Sequence, residues 1–250
     1  MINGSKVLDH PIRWAMAGGG RGSQIGYIHR SAALRDNSFQ LVAGAFDIVP
    51  ERGMAFAAEL GVASDRCYPD YQTMFAQEAK RPDGIEAVSI ATPNGTHYEI
   101  CKAALESGLH VVCEKPLCFT SQQAEELVTL AKAKQRVVGV TYGYSGHQMI
   151  QQARQMILHG DLGEIRVVNM SFAFGGYNVK VEETIPAAKW RFDPSKAGPS
   201  FALGDVGTHP LYLIEAMIPD LHIRNLMCTR QAFVEGRQLE DNAFVIMNLE

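Results

Sequence analysis

Between Ile12 and Thr141 the chain alternates short apolar runs with stretches at helical spacing, and nothing else in the sequence narrows the fold as far. The apolar runs, residues 12–17 (IRWAMA), 39–46 (FQLVAGAF), 87–91 (AVSIA), 111–113 and 137–141 (VVGVT), read as short buried strands. Between them, Ile25, Ile28 and Ala32 fall on one helical face, and Tyr71, Met74 and Phe75 make another stripe. Residues 50–60 open on proline in a favoured first-turn position and stop before Gly61. A helix over about 96–107 is stopped by Gly108, and Thr120-x-x-Gln123 is a capping box opening a helix through about Lys134. Strands alternating with helices at this pitch predict right-handed βαβ units, a parallel sheet and an α/β fold.

Beyond about Gly143 the pattern changes. A helix near 149–159 precedes a long strand-like stretch, 165–174 (IRVVNMSFAF), then a Gly/Pro-containing loop to Ser200 and two further strands near 223–230 and 242–249. The expected organisation is a first domain over 1–143 and a second, α+β domain over 144–250 with a mostly antiparallel open sheet. DNAFVIMNLE alternates like a strand still in progress, which predicts that the second domain is incomplete.

The net charge of −4 gives no reason to expect nucleic acid or an anionic membrane as partner. No run of ~18 apolar residues exists, so no membrane span is expected. The start, MINGSKVLDHPIR, lacks the apolar core of a signal peptide. Five cysteines (Cys67, Cys101, Cys113, Cys118, Cys228) show no metal-type spacing and are expected as buried, reduced thiols in a cytoplasm.

The first strand–helix junction is AMAGGGRGSQIGYIHR, residues 15–30. Glycines bring backbone amides close to a ligand, and a following helix adds an anion-binding N-terminus. Alone, the loop reads equally as a tight turn packing helix on strand. A strand before it, a helix after it and Asp47 at the end of the next strand complete the context for dinucleotide binding. Gly18-x-Gly20 is the first pair; Ser23 stands where a third glycine would, and Gly26 is the better third. The amides of Arg21 through Gln24 to Ile25 would wrap a pyrophosphate, with the Ser23 hydroxyl as an extra donor. Asp47 can accept both hydroxyls of an adenosine ribose and repels a 2′-phosphate. No base adjoins it in Ile48-Val49-Pro50, although Arg21 and Arg52 could neutralise a phosphate, so NAD is expected over NADP.

Three further groups carry chemistry. Lys115, in Cys113-Glu114-Lys115-Pro116, follows the carboxyl end of a strand, the edge where open α/β sheets bind ligands. Its ammonium can stabilise an oxygen gaining negative charge; a lone Lys-Pro reads as well as a surface lysine beside a turn. Asp205 and His209 stand four apart, one helical turn, so a carboxylate and a proton-accepting imidazole share a face, or Asp205 merely caps the helix. Thr92-Pro93-Asn94 and His97 follow a strand and read equally as a ligand contact or a strand-to-helix turn. Trp190 and Arg191 sit in the long loop, where an aromatic face and a cation suit a hydroxylated ring and a tryptophan suits core packing or an interface as well. Tyr142 and Tyr144 end the last strand of the first half.

GGGRGSQIGYIHR, ATPNGTHYEI, CEKPL and GDVGTHPLYL, in that order, resemble the glucose–fructose oxidoreductase / inositol dehydrogenase / MocA (Gfo/Idh/MocA) family. The resemblance implies a Rossmann domain joined to an α/β domain on a large open sheet, and NAD- or NADP-dependent chemistry on sugars, polyols and cyclitols. It implies catalytic roles for Lys115, Asp205 and His209. Thr92, Pro93, Asn94, His97, Glu114 and Lys115 would lie along the cofactor, and Tyr142, Trp190 and Arg191 beside the substrate, which would sit between the two domains. With IRVVNMSFAF apolar on both sides of its alternation, it also implies a homodimer or homotetramer through the second sheet. No metal is expected. The rival readings are a redox-neutral hydrolase or epimerase retaining its cofactor, and a non-catalytic dinucleotide-binding regulator.

Overall fold

The structure, a computed structural model, describes residues 9–250. By its contacts it divides into one unit of residues 9–92 and 96–140 and a second of 93–95 and 141–250.

In the first unit, β1 (Ile12–Gly18), β2 (Phe39–Ala45), β3 (Ala87–Ala91), β4 (His110–Cys113) and β5 (Val138–Val140) form a parallel sheet in the order β2-β1-β3-β4-β5. The crossovers are helical: α1 (Gln24–Ala33), α2 (Pro50–Glu59), α3 (Tyr71–Glu78), α4 (His97–Glu106) and α5 (Ser121–Lys134). Strand alternation splits the apolar residues between two faces. Trp14, Met16, Ala87 and Ala91 pack with Phe56 and Ala57 of α2 and Ile25 of α1. Ala15, Ala17, Val88, Ile90 and Val111 pack with residues of α3, α4 and α5. The capping signals act as expected: Thr120 Oγ1 accepts from the Gln123 amide at 3.2 Å, and Gln123 returns a bond to the Phe119 amide at 3.0 Å.

The second unit holds α6 (Gln148–Leu158), two single turns, α7 (Val181–Thr184) and α8 (Pro194–Ala197), then α9 (Thr208–Met217) and an antiparallel pair, β6 (Ile223–Gln231) with β7 (Asn242–Leu249). Residues 165–174 correct the expectation of a long strand: among the described residues they join no ladder. A strand is made by its partner, and β6 and β7 pair with each other, so an alternating apolar pattern alone does not make one. With β7 and α9, this segment lines an open groove of about 1650 Å³. The compact part of the unit is small: Ala197, Phe201 and Leu239, backed by Tyr177, Trp190 and Phe192. Arg237, its side chain buried, ties the long middle segment to it, forking onto Glu182 at 2.9 and 3.0 Å and donating to the carbonyls of Tyr177 and Val179. The cysteines depart from expectation in part: Cys101 and Cys113 are buried, Cys67 and Cys118 half-buried, and Cys228 exposed on β6.

Candidate active site

The turn after β1 depends on its glycines. Gly18 has φ +77°, and a Cβ there would stand 2.6 Å from the Ala91 carbonyl oxygen. A Cβ on Gly20 would come 2.5 Å from the Phe46 oxygen, and one on Gly26 2.4 Å from that of Gly19. Gly26 therefore fills the helix-packing place despite the insertion before it. At Gly22 a Cβ would meet nothing within 4 Å, so the loop is open there. Ser23 is the N-cap of α1: its Oγ accepts from the Gly26 amide at 3.1 Å, and its own amide donates to Gly20 at 3.0 Å. The Ser23 amide is thus engaged within the turn, and its hydroxyl proton remains to donate. Gln24 and Ile25 open the helix, where amides have no intrahelical acceptor and the dipole favours an anion. Arg21 is paired with Glu59 of α2. Arg30, which spacing alone did not flag, donates to the Gly19 carbonyl at 2.7 Å and braces the loop.

Asp47 follows β2. Burial works against its charge, but the Val49 amide at 2.9 Å and the Arg52 guanidinium at 2.7 Å, both on Oδ1, hold its carboxyl below the usual range. It is a carboxylate at neutral pH. Arg52, read from sequence as a possible phosphate neutraliser, is thus engaged with it.

Beyond β4, Glu114-Lys115-Pro116 makes a turn with a cis Lys115–Pro116 peptide. The Glu114 amide donates to Ile90 of β3 at 3.0 Å, and its buried carboxylate meets His29 Nε2 of α1 at 2.9 Å. His97 is 0 % exposed, with Nδ1 2.7 Å from the Pro116 carbonyl and Nε2 2.9 Å from that of Thr92. Burial pushes its pKa below the ordinary value, against the two carbonyls and Glu114, which favour protonation. A neutral ring donates to one of those carbonyls at a time. Thr92 Oγ1 accepts from Thr96 at 2.7 Å. The buried Asn94 side-chain nitrogen has no hydrogen-bond partner, a donor unused by the protein itself.

In the second unit Asp205 lies in a π-helical stretch, Ala202–Gly207, that runs into α9, whose N-cap is Gly207. Asp205 is therefore not the cap that its spacing allowed. Its amide bonds back to Phe201 at 2.8 Å, and its buried carboxylate accepts from Arg191 Nε at 3.2 Å. Arg191 lies over the Trp190 ring, 4.5 Å from its centre, so the pair forms a platform in a 3-10 helix rather than a free loop. Buried Glu240 accepts from the Leu203 amide at 3.1 Å and from Ser200, anchoring the start of the π stretch. Such wide turns recur at functional sites because they re-aim side chains within a continuous helix. His209 stands among rings: Tyr144 edge-on at 4.7 Å, Phe172 stacked at 5.8 Å and Tyr142 at 6.4 Å. Tyr142 also stacks on Tyr212 at 4.1 Å. Beside His209, the buried Thr208 hydroxyl has no partner; nothing in its spacing flagged it.

A family profile described as an oxidoreductase family with an NAD-binding Rossmann fold matches residues 12–142, and a Gfo/Idh/MocA C-terminal domain profile matches 150–250. The chain is 59 % identical over 253 residues to the uncharacterized oxidoreductase YfiI of Bacillus subtilis, covering 100 % of this chain and 64 % of that protein. It superimposes with a TM-score of 0.97 and 66 % identity on a crystal structure of an inositol dehydrogenase homolog from Azotobacter vinelandii complexed with NAD+, covering 100 % of this chain and 64 % of that one. A second Azotobacter vinelandii structure, complexed with NADH and myo-inositol, gives a TM-score of 0.92 at 64 % identity, with the same 100 % and 64 % coverage. The chain thus spans 64 % of the length of each of these relatives.

Proposed function

Since the chain belongs to the Gfo/Idh/MocA oxidoreductase family, we propose that it is an NAD-dependent dehydrogenase of a sugar, polyol or cyclitol hydroxyl. The carrying observation is the turn after β1, where three glycines admit no Cβ and a helix N-terminus is followed by the carboxylate Asp47. Those residues fit a dinucleotide: Gln24 and Ile25 amides for the pyrophosphate and Asp47 for the ribose. A 2′-phosphate would meet the Asp47 charge. NAD+, when bound, supplies the acceptor for a hydride.

The rest is the chain's own chemistry. The substrate loses a C–H hydride and an O–H proton and becomes a carbonyl compound. Neutral His209 takes the proton, and the Lys115 ammonium stabilises the oxygen as its charge grows. Asp205, kept in place by Arg191, holds the reacting hydroxyl or the imidazole. Tyr142, Trp190 and the Thr208 hydroxyl offer faces and a hydrogen bond to a hydroxylated ring. The odd number of cysteines supports a reducing, cytoplasmic setting, and the exposed apolar residues of 165–174 and β7 support a homodimer or homotetramer through the second unit.

The test mixes the intact protein, NAD+ and a panel of polyols including myo-inositol, and follows reduced nicotinamide by its absorbance. Net reduction is expected, rising with pH through one ionisation and losing that dependence in His209→Asn. Binding of NAD+ with no net reduction on any polyol would replace the dehydrogenase by a redox-neutral enzyme or a regulator. Light scattering that returned a monomer would remove the assembly.

A further inference from the structure

We propose that His29 and His97, both buried, are positioning residues that clamp the Lys115 turn from helices on opposite faces of the sheet. His29 belongs to α1, which packs on the Trp14–Met16 face, and His97 opens α4, which packs on the other. His29 Nε2 meets the carboxylate of Glu114 at 2.9 Å, and His97 Nδ1 meets the carbonyl of Pro116 at 2.7 Å. The two residues flanking Lys115 in sequence are therefore each bonded to an imidazole. The other nitrogen of the His97 ring faces the Thr92 carbonyl at 2.9 Å, so the ring stands between the turn after β3 and the turn after β4 and donates to one of them at a time.

An ordinary core histidine needs partners, and any carbonyl would serve. These two rings instead converge on one three-residue turn. Their reach suits the chemistry, because a lysine side chain is flexible and its backbone origin decides where the ammonium spends its time. Displacing a reacting group by about 1 Å costs on the order of 10²-fold in rate. Neither ring needs to touch substrate or cofactor. This inference rests on the reading of Lys115 as the group that meets the substrate oxygen.

The experiment uses the intact protein carrying His29→Leu, His97→Leu, His29→Gln or His97→Gln. The first readout is amide hydrogen exchange across residues 112–120 with no cofactor present, which needs no activity at all. The second is kcat and KM with NAD+ and myo-inositol as probes. Each leucine variant should raise exchange in the turn about tenfold more than in β1 or α5, and lower kcat by roughly 10–100-fold. KM for NAD+ should move less than about threefold, because the glycine turn is untouched. Glutamine keeps one N–H donor, and each glutamine variant should recover most of both losses. Leucine variants that fold, yet leave turn exchange and kcat within about twofold of wild type, overturn the clamp. So does a loss spread evenly over the unit that glutamine fails to rescue, which marks plain destabilisation. A wild type that reduces no NAD+ with any polyol sinks the dehydrogenase reading, and the exchange readout still decides the clamp.

Discussion

In the first unit both faces of the sheet are covered by helices from the same stretch of chain, whereas in the second β6 is exposed along its whole length. The same contrast holds at the chemistry. Lys115 sits on a turn whose neighbours are fixed by buried bonds from two helices. Asp205 and His209 sit on a π-to-α helix steadied by one arginine, one glutamate and a ring of aromatics. A parallel sheet needs cover on both faces to exist, so its pattern is strong and local. An antiparallel pair with open faces leaves its pattern to be completed by whatever lies against it.

The largest expected effect tests both chemical groups at once. Lys115→Met should lower kcat by ~10²–10³ while leaving NAD+ affinity nearly unchanged, since the ammonium is assigned to the substrate oxygen. Asp205→Asn keeps the size and loses the charge that Arg191 pairs with, and should lower kcat by a comparable factor. If Lys115→Met retains most activity, the lysine is structural and the weight of the chemistry shifts to the second unit.

Core truncation comes next. Leu105 is 0 % exposed between α4 and the sheet, and Leu105→Ala should cost about 2–5 kcal/mol in urea unfolding. Ile246 on β7 is 62 % exposed, and Ile246→Ala should cost about 0.5 kcal/mol or less. A cost above about 1 kcal/mol at Ile246 would show that this face is covered in solution, which favours the proposed assembly.

The two units were unequally legible in the sequence. The five strands and five α-helices of the first unit follow from apolar spacing and punctuation, because Pro50, Gly61, Gly108 and Thr120 act through local backbone chemistry, while the short turn of helix at Ser64–Arg66 does not. The three glycines could be chosen for the same reason: a missing Cβ leaves a mark in the sequence. What escaped was bonding across long sequence separations. Nothing near His29 or His97 announces Glu114 or Pro116 as a partner, and nothing near Ser23 distinguishes a helix cap from a pyrophosphate donor. In the second unit, 165–174 alternates like a strand, but its partner decides whether it is one. The π stretch escaped because a spacing of four reads as a regular turn.

A smaller effect concerns the cofactor. Asp47→Ala should weaken NAD+ by about 10–100-fold, the worth of a charge-assisted hydrogen bond, and NADP+ much less. Arg52, freed of its partner, would then be available to a 2′-phosphate. Calorimetry showing that wild type prefers NADP+ would break the assignment of Asp47 to the ribose.

The smallest effect is a slope. Burial lowers the pKa of His97 in the folded state, so the unfolded chain, with histidine near about 6.5, binds the proton more readily. Stability therefore rises with pH between the lowered folded value and about 6.5, and is lost as pH falls through that window. His110, also lowered by burial and by Arg136, adds a slope of the same sign. The depressed carboxylates, Asp47 and Glu86 among them, act at more acid pH, below their ordinary values of about 4, and add little between pH 5.5 and 7.5. Thermal unfolding at pH 7.5 and 5.5, in wild type and His97→Gln, isolates the His97 part. The variant should lose less stability on acidification than wild type, with the His110 share remaining. Equal losses in the two proteins would mean that His97 titrates in the fold as it does in the unfolded chain, whereas a larger loss in the variant than in wild type would mean that the ring is held protonated, donating to Thr92 and Pro116 together.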